Sequence, residues 1–323
     1  MLFCLQAVHA EWVKQQTRSF AWLRDISFQS ASKGWIVGTD GTIFSTDDGG
    51  TTWQPKPKFT TDTFRQIHFT DEFTGWILAE RNVYSRGQNG TSYVLKTTNG
   101  GRSWDRFEFE AAGRERVTRL LFNKLGWGLA YGEGGIFYKL QEDGKTWKKS
   151  VTAIHFLLLG GAFSDGETGA LAGAGGTLMF TENNGLTWDK ATIIGNNDAR
   201  INAVVFAGPK LGWAVGSGGA IFYATGGGRL WRTQTSGTTS NLNDVCFLNR
   251  YEGWAVGDDG TIIRTTNGGV TWDEVNSRVT HRLERVVFNG KRGFAIGFGG
   301  TLLNYIDGTN NDPTGKPDIK VRN

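Results

Sequence analysis

The sequence predicts an all-β fold: a seven-bladed β-propeller in which an N-terminal strand closes the last blade. Three features support this fold. A tryptophan recurs at a regular interval, each unit has a short apolar segment ending in phenylalanine, and a polar, glycine-containing turn precedes the tryptophan. The recurring tryptophans, spaced by 41 to 51 residues, are Trp12, Trp53, Trp104, Trp147, Trp188, Trp231 and Trp272. An interval of that length with several strands per unit is typical of propeller blades.

The composition fits such a fold and argues against several functional classes. The chain of 323 residues has 47 glycines, 5 prolines and 13% aromatic residues, which suits a repetitive β-protein with many tight turns. Its formal net charge of +4 is far below what a dedicated nucleic-acid-binding domain carries, so no nucleic-acid partner is expected. No apolar run reaches the roughly 18 residues needed to span a bilayer. Cys4 and Cys246 match neither a disulfide framework nor a zinc site.

Each unit is predicted to begin with an apolar strand. The seven segments are rich in β-branched and aromatic residues and are bounded by turn residues, as strands are. They are Leu23–Phe28, Phe64–Phe69, Val117–Phe122, Leu158–Phe163, Ile201–Phe206, Leu242–Phe247 and Leu283–Phe288. In a propeller the first strand of each blade lines the central channel, so these segments are expected to surround it.

A glycine–aromatic pair is predicted to open the second strand of each unit. The pairs are Gly34-Trp35, Gly75-Trp76, Gly126-Trp127, Gly212-Trp213, Gly253-Trp254 and Gly293-Phe294, with Gly169-Ala170 as a weaker copy in unit four. A glycine-rich turn then leads to a third strand, as in the Gly-Thr-Ile-Ile run that begins at Gly260. Unit two carries an insertion at this place, from Glu80 to Ser92, which lengthens its interval.

The turn before each tryptophan follows the pattern Thr-x-Asp/Asn-x-Gly-x-Ser/Thr-Trp. Its acidic or amide side chain bonds to nearby backbone, its glycine adopts a positive φ, and its hydroxyl groups satisfy further backbone atoms. We therefore expect structural roles for Asp48, Asn99, Asn183, Asn267, Trp53, Trp104, Trp147, Trp188 and Trp272. Unit three, with Glu142 and Gly144, and unit five, with Gly228 and Trp231, carry eroded versions.

Closure of the ring is predicted from a mismatch between the two ends of the chain. Seven first strands exist, but only six tryptophan-ended turns follow them. Trp12 lies 41 residues before Trp53 and therefore supplies the missing fourth strand of the last unit. Closure removes the exposed sheet edges that an open array would leave. The propeller is expected to span residues 11–308, followed by a flexible tail over residues 309–323.

Residues 1–10 match the end of a secretory signal peptide. A short apolar stretch is followed by Val8-His9-Ala10, a small-x-small cleavage site just before Glu11, although the basic segment that normally precedes such a stretch is missing. We expect an exported protein, located in the periplasm, the thylakoid lumen or the extracellular space. A merely apolar N-terminus is the alternative.

The sequence contains no recognisable catalytic or metal-binding arrangement. The four histidines lie far apart and form no metal-type pair. Sialidases and some glycosidases carry the same turns, but residues that recur in most units serve the unit and not one reaction centre. A sialidase site would also need a tyrosine beside its arginines, and no first strand contains one. We expect no enzyme activity, cofactor or metal. A glycoside hydrolase or sialidase-like protein is the alternative, because the separation of two carboxylates cannot be read from a sequence.

Several arginines are expected around one mouth of the channel. Arg24 and Arg65 share one repeat position in the first strands, and Arg119 and Arg285 share the next. The predicted partner-binding residues, including two from the unit-two insertion, are Arg24, Arg65, Arg119, Arg285, Arg81 and Arg86. Such a surface suits an acidic peptide, a chain-terminal carboxylate or an anionic head group. A solvated surface is the alternative, because acidic residues lie nearby in the sequence.

The turns resemble the Asp-box (BNR) repeat. The full run, best seen from Gly253 to Trp272, resembles the photosystem II stability/assembly factor family of propellers over about residues 11–308. This resemblance implies a non-catalytic, monomeric scaffold that helps to assemble or stabilise a membrane complex. Its protein partner would be a photosystem II-type membrane subunit, contacted only through its soluble face. The family's arginine-rich patch is matched best by Arg24 and Arg65. A structural domain recruited to the cell surface is a third hypothesis.

Overall fold

Seven β-sheets, each with four antiparallel strands, surround a central channel in the computed structural model. The structure describes residues 11–84, 90–123, 125–150, 155–164, 167–195 and 198–306. First strands of neighbouring sheets contact one another all the way round the ring. Each sheet is therefore one blade, with its first strand at the channel and its fourth strand at the rim. The predicted seven-bladed propeller is confirmed.

The strands occupy equivalent places in the seven blades, which we number one to seven from the blade that begins at Leu23. The first strands are Leu23–Phe28, Thr63–Phe69, Val117–Phe122, Leu158–Phe163, Ile201–Phe206, Leu242–Phe247 and Leu283–Asn289. The second strands are Gly34–Gly38, Gly75–Glu80, Gly128–Gly132, Gly169–Gly173, Gly212–Gly216, Gly253–Gly257 and Arg292–Gly297. The third strands are Ile43–Thr46, Ser92–Thr97, Phe137–Leu140, Leu178–Thr181, Ile221–Ala224, Ile262–Thr265 and Leu302–Ile306. The fourth strands are Gln54–Pro55, Asp105–Glu108, Trp147–Lys149, Asp189–Lys190, Leu230–Gln234, Asp273–Glu274 and Glu11–Lys14.

Short 3₁₀ turns follow the second strand in four blades. They are Glu133–Gly135, Ser217–Gly219, Asp258–Gly260 and Phe298–Gly300. Three-residue turns are the only helical elements among the described residues, and none has the length or the apolar character that crossing a bilayer requires.

The N-terminal strand closes the ring as predicted. Glu11–Lys14 pairs antiparallel with Leu302–Ile306, so that Trp12 lies opposite Tyr305. The Trp12 side chain is 0% exposed. Its ring lies 5.6 Å from that of Trp254 in blade six and 5.4 Å from that of Tyr305 in blade seven, measured between centroids. Trp12 therefore holds together two blades as well as the two ends of the chain.

Aromatic rings pack the blades against one another in a repeating way. The phenylalanine at the end of a first strand faces the second-strand aromatic residue of the preceding blade, as in Trp35 with Phe69 at 5.9 Å and Trp213 with Phe247 at 3.6 Å. The tryptophan after the polar turn completes each cluster, as Trp104 does against both Trp35 and Phe69. Such ring pairs stabilise by about 0.5–1.5 kcal/mol beyond their buried area. The periodic residues thus form the interfaces between blades.

Hydrogen bonds hold the polar turns closed. In blade one, Asp48 accepts hydrogen bonds from the backbone N–H of Thr52 at 2.9 Å and from its hydroxyl at 2.7 Å. The Thr46 hydroxyl donates to Asp48 at 2.7 Å and accepts from the N–H of Gly50 at 2.9 Å. Slight burial opposes ionisation of Asp48, but the hydrogen bonds from Thr52 and Thr46 outweigh it and lower the pKa of this carboxyl.

An amide makes the same contacts in three other blades. The oxygens of Asn99, Asn183 and Asn267 each accept from backbone at 3.0 Å. Their Nδ2 atoms donate to the hydroxyl that follows, at 2.8 to 2.9 Å. In blade three the capping carboxylate is Asp143, one residue after the Glu142 that the sequence pattern suggested. Hydrogen bonds from Thr146 lower the pKa of Asp143 to about 2.

The second glycine of these turns packs directly on the preceding blade. Gly50 has a φ of 87°, and a Cβ atom added there would lie 2.3 Å from Cζ of Phe294 in blade seven. The same contact recurs between Gly101 of blade two and the ring of Trp35. Glycine is therefore required both for the backbone conformation and for the close approach of two blades.

The second strand of blade three corrects one prediction. It runs from Gly128 to Gly132, and Phe122 pairs with Gly128 just as Phe28 pairs with Gly34. The Gly126-Trp127 pair that was matched to this strand lies in the preceding turn. Two glycines two residues apart offered alternative matches, and packing of Phe122 against Trp76 and Trp147 accompanies the observed register. Leu129 consequently takes the buried aromatic position.

The structure contains one strand that the sequence pattern did not indicate. Thr192–Ile194 runs parallel to Leu230–Gln234 and adds a fifth strand to the rim of blade five. A single parallel bridge between Phe109 and Trp147 does the same for blade three. Both segments connect one blade to the next, and both cover a sheet edge that would otherwise be open to pairing with another chain.

Replacing Trp12 with alanine tests the contribution of the closing strand. We expect Trp12→Ala to lower the free energy of unfolding by about 3–5 kcal/mol, because it removes a fully buried ring from the seam. Trp127→Ala is the matched control: that side chain is 42% exposed, and its loss should cost less than about 1 kcal/mol. Urea denaturation of the three proteins measures both values. Equal losses would contradict the role of Trp12.

A pair of glycine substitutions separates blade packing from backbone strain. Gly208 has a φ of 83°, close to that of Gly50, but no atom lies within 4 Å of an added Cβ. We expect Gly208→Ala to cost about 1 kcal/mol for its positive φ alone. Gly50→Ala should cost at least about 2 kcal/mol more, because Phe294 must move. Similar melting temperatures for the two variants would show that the contact with Phe294 is unimportant.

Candidate functional site

One end of the ring carries the predicted arginines, and we call it the arginine face. The turn after each second strand reaches back to the start of the first strand in the same blade: the N–H of Thr39 donates to the carbonyl of Trp22, and that of Phe298 to the carbonyl of Arg282. The first-strand starts and the described parts of the unit-two insertion, 80–84 and 90–92, therefore lie at the same end. The polar turns before the tryptophans lie at the opposite end, which we call the Asp-box face.

Every first strand contains a β-bulge at the same place. Positions are counted from the apolar residue that begins each predicted first strand, which is Phe64 in blade two. Pairing with the second strand shifts between the first and third positions, as between Leu23 and Asp25. The same shift occurs in the other six blades. A bulge leaves one residue without a partner across the ladder and redirects its side chain. The second and third residues of these strands are therefore free to interact with neighbouring blades.

Side chains at the bulge connect the first strands around the channel. At the second position, Thr118 and Asn202 donate to the first carbonyl of the following blade, at 2.6 and 2.8 Å. At the third position, Asp25 and Gln66 accept from a backbone N–H of the following blade, at 2.9 and 2.7 Å. These polar side chains replace the backbone hydrogen bonds that separate sheets cannot make with one another.

Arg285 lies between two buried carboxylates in the channel. Its guanidinium donates to Asp25 at 2.7 Å and to Asp244 at 2.8 Å, so it joins blades one, six and seven. Burial alone would lower the pKa of Arg285, but the charges of Asp244 and Asp25 outweigh it and raise the pKa. Burial raises the pKa of Asp244, although the charge of Arg285 opposes that shift. The positive charge of Arg285 thus compensates the negative charges of the two buried carboxylates.

Arg119 shares the repeat position of Arg285 but has different surroundings. Its guanidinium donates to the carbonyl of Thr118 at 3.2 Å and forms no ion pair with a carboxylate of the described chain. Burial and the charge of Arg285 lower the pKa of Arg119. Of the two channel arginines, Arg119 therefore keeps more of its N–H donors for a ligand.

Arg24 belongs to a chain of ion pairs at the channel mouth. It contacts Glu284 at 2.9 Å, and Arg282 joins Glu284 at 2.7 Å to Asp258 at 3.0 Å. The Arg24 guanidinium also stacks 3.5 Å above the ring of Trp22. Burial opposes ionisation of Glu284, but the charges and hydrogen bonds of Arg282 and Arg24 outweigh it and lower the pKa of the carboxyl.

Arg65 belongs to a second such chain. It pairs with Glu80, whose other oxygen lies 3.8 Å from Arg116. Arg116 donates in turn to Glu133 at 2.7 Å. The side chains of Arg24 and Arg65 are 17% and 22% exposed. Both arginines therefore reach the surface while each is partly neutralised by a resident glutamate.

The two insertion arginines differ in what the structure shows of them. Arg81 is buried at the base of the insertion, where it donates to both oxygens of Glu108 at 2.5 and 2.6 Å and lies beside the ring of Tyr93. Arg86 lies outside the described residues. The sequence pattern does not indicate the glutamates that pair with Arg24, Arg65 and Arg81. The one available signal was Glu284, which occupies the repeat position of Arg24.

Within the described ranges, no metal site is formed by a group of three or more histidine, cysteine, aspartate or glutamate side chains. The channel carboxylates Asp25 and Asp244 are both engaged by Arg285. The arrangement at the mouth instead offers guanidinium groups beside aromatic rings, which is suited to binding carboxylates.

Removal of the channel cation should have a pH-dependent effect on stability. Arg285→Met leaves Asp25 and Asp244 buried without their ion-pair partner, and we expect it to cost about 3–5 kcal/mol near neutral pH. Burial raises the pKa of Asp244, and without the cation the charge of Arg285 no longer opposes that shift, so the folded pKa of this carboxyl lies above the unfolded value of about 3.9. Asp244 then binds a proton on folding, so the variant loses stability as pH rises above that value and regains it as pH falls towards it.

Urea denaturation of both proteins at several pH values measures this difference. Arg264→Met is the control, because the Arg264 ion pair with Glu252 is about one-third exposed and should contribute less than about 1 kcal/mol. An Arg285→Met defect that is independent of pH would show that the two carboxyls do not depend on this cation.

Comparison with known proteins assigns the chain to a family. The model of the family described as photosynthesis system II assembly factor YCF48 matches residues 5–153, 113–225 and 224–313. The photosystem II assembly protein Ycf48 of Synechococcus sp. (strain JA-3-3Ab) is 28% identical over 194 residues, which are 59% of this chain and 55% of that protein. The photosystem II assembly lipoprotein Ycf48 of Synechococcus sp. (strain CC9902) is 28% identical over 253 residues, 66% of this chain and 75% of that protein.

A solved structure described as YCF48 bound to D1 peptide has the same fold. It superposes with a TM-score of 0.73 and 23% identity, covering 94% of this chain and 99% of that one. The family matches together extend over nearly the whole propeller, from the closing strand to the third strand of blade seven. The chain belongs to the YCF48 family of photosystem II assembly factors.

Proposed function

We propose that this chain is a non-catalytic scaffold that binds a segment of a photosystem II-type membrane subunit through its arginine face. In doing so it assists the assembly or stability of the membrane complex. The observation that carries the proposal is the family match over residues 5–313. Relatives named photosystem II assembly proteins and a family propeller described as bound to D1 peptide support the same partner class.

The chemistry of the arginine face suits an acidic segment or a chain-terminal carboxylate. Arg24 and Arg65 are each held by a glutamate and keep part of the guanidinium at the surface. A carboxylate of the partner would form charge-assisted hydrogen bonds with them, which are about twice as strong as neutral ones. Arg119 would extend the site into the channel, and Arg86 would contribute from the insertion. Arg81, which was also predicted to bind the partner, is buried and held by Glu108, so its role would be to fix the base of the insertion.

We infer that the Asp-box residues serve the fold and not a reaction. Three of the five capping side chains are amides that make the same hydrogen bonds as Asp48, so the turn does not need a titratable group. A glycoside hydrolase built on the same repeats remains the second candidate. A screen of the purified protein on chromogenic glycosides distinguishes the two, because any robust turnover would overturn the non-catalytic proposal.

The same proposal extends to location and chain organisation. Relatives named assembly lipoproteins support export to the thylakoid lumen or periplasm, with residues 1–10 as the end of a signal peptide and residues 309–323 as a tail. The propeller would act as a monomer and contact the membrane complex only through its soluble face. Mass spectrometry of the mature protein tests the cleavage before Glu11.

Replacing the two surface arginines tests the proposed site. We expect Arg24→Gln with Arg65→Gln to weaken binding of a D1 peptide at least about tenfold, because each lost charge-assisted hydrogen bond contributes about 1.5–3 kcal/mol. The variant should still fold, because Glu284 retains Arg282 and Glu80 retains Arg116. Fluorescence anisotropy with labelled peptide at low salt measures the affinity.

Arg264→Gln is a closely matched control. Like Arg24, Arg264 pairs with a glutamate and lies over a tryptophan ring, but it lies in the third strand of blade six near the Asp-box face. Its replacement should leave peptide affinity unchanged. Equal affinity of the wild type and the double variant would exclude Arg24 and Arg65 from the binding site.

A further inference from the structure

One blade breaks the polar pattern of the bulge. The residues at the second position of the seven first strands are Arg24, Arg65, Thr118, Leu159, Asn202, Asn243 and Glu284. Six of these side chains are polar or charged, and only blade four has an apolar one. Leu159 is half-buried at this position. The channel mouth therefore has one apolar sector in an otherwise polar ring.

Leu159 cannot form the side-chain hydrogen bond that residues at the same position form in other blades. Thr118, Asn202 and Asn243 each donate a side-chain hydrogen bond to the first carbonyl of the following blade, at 2.6 to 2.9 Å. A leucine has no group to donate to the corresponding carbonyl of blade five. Such a bond contributes about 0.5–1.5 kcal/mol. The apolar side chain thus does not serve the contact that this position makes elsewhere.

The residues around Leu159 extend the apolar surface. Phe156 and Leu157 directly precede the first strand of blade four, and Phe156 is 58% exposed. The third position is Gly160, where an added Cβ would lie 2.8 Å from Cα of Ala203 in blade five. The two strands are too close here for a larger side chain, so the channel wall beside Leu159 is smooth. We call Phe156, Leu157 and Leu159 the blade-four sector.

Two arginines without ion pairs belong to the neighbouring blades. Arg119 of blade three bonds to the carbonyl of Thr118, and Arg200, at the start of blade five, bonds to the amide oxygen of Asn202 at 3.1 Å. Within the part of the chain that the structure describes, neither pairs with a carboxylate, in contrast to Arg24, Arg65, Arg116 and Arg282. An apolar surface is therefore flanked by two guanidinium groups that form no ion pair with a carboxylate of the described chain.

We propose that the blade-four sector binds an apolar side chain of the partner segment, next to a carboxylate held by Arg119 or Arg200. This rests on the proposed function and specifies its ligand: an acidic segment in which a leucine-like residue lies beside an aspartate, a glutamate or the chain end. Charge complementarity selects an acidic peptide over other occupants of the apolar surface. The arginines attract the acidic segment, and the blade-four sector favours those acidic sequences that carry a leucine-like residue.

Two labelled probe peptides test this inference. One is a short acidic peptide with a leucine between two aspartates, and the other has serine in place of the leucine. We expect the wild type to bind the leucine peptide about tenfold more tightly, because burying that side chain removes apolar surface from water. Anisotropy titrations at low salt measure both affinities.

Two variants locate the preference on the sector. Leu159→Asn introduces the residue found at the same position in blades five and six, so it should fold normally and abolish the preference for leucine. Phe156→Ala changes an exposed side chain and should lower the preference several-fold. Phe73→Ala is the matched control, because Phe73 is 63% exposed but lies on the Asp-box face.

The outcomes separate this inference from the proposed function. Equal binding of both peptides by the wild type, weakened by Arg24→Gln with Arg65→Gln, would overturn the role of the sector and leave the proposed function intact. A preference for leucine that persists in both Leu159→Asn and Phe156→Ala would also overturn it. Failure of both peptides to bind at low salt would contradict the proposed function and the inference together.

Discussion

The strand Glu11–Lys14 carries the constraint on which the rest of the structure depends. It pairs with Leu302–Ile306 and thereby turns a row of blades into a ring. In a repeat protein each unit contacts only its neighbours, so an open row would lose the entire interface between its first and last blades. Trp12 contributes a buried ring to this seam, and Phe28 of blade one packs against Phe294 of blade seven, 5.0 Å between centroids. Pairing of this four-residue strand therefore closes the ring, and the interface between blades one and seven forms in addition to those between the other blades.

Two of the candidate binding residues, Arg24 and Arg285, lie at the interface between blades one and seven. Arg24 and Asp25 belong to blade one, whereas Glu284 and Arg285 belong to blade seven, and both ion pairs cross between them. The geometry of the mouth is thus set by the pairing that closes the ring. A partner that binds across this seam would bind only the closed form, and mass action would then stabilise the ring. Ring closure is therefore needed to form the part of the arginine face that lies between blades one and seven.

The sequence alone predicted what the repeats encode. Tryptophan spacing and phenylalanine-ended strands were sufficient for the number of blades, the first strands and the role of Trp12, because the same physical contact recurs in every unit. The repeat pattern predicted the wrong position for the second strand of blade three, because Gly126 and Gly128 both match the glycine that begins this strand. It did not predict Thr192–Ile194, which pairs with a rim strand far away in the chain.

The ion pairs of the mouth could not be predicted for a related reason. Arg24 meets Glu284, and Arg65 meets Glu80, through ion pairs that the repeat pattern does not specify. A periodic pattern places each side chain on the ring but does not state which neighbours it touches. The three-dimensional structure shows that these two arginines form ion pairs with resident glutamates, whereas Arg119 forms none with a carboxylate of the described residues.

Differences between repeats therefore deserve more weight than their common features when a function is sought in such a protein. Positions that repeat, such as Asp48 and Trp53, are explained by turn closure and blade packing. Positions that vary at one depth of the channel, such as Arg24, Thr118 and Leu159, share a backbone conformation set by the bulge. Because the bulge fixes the backbone, the side chain there can change between blades at modest cost in stability. The mouth of the propeller is thus the place where a symmetric scaffold can build an asymmetric surface.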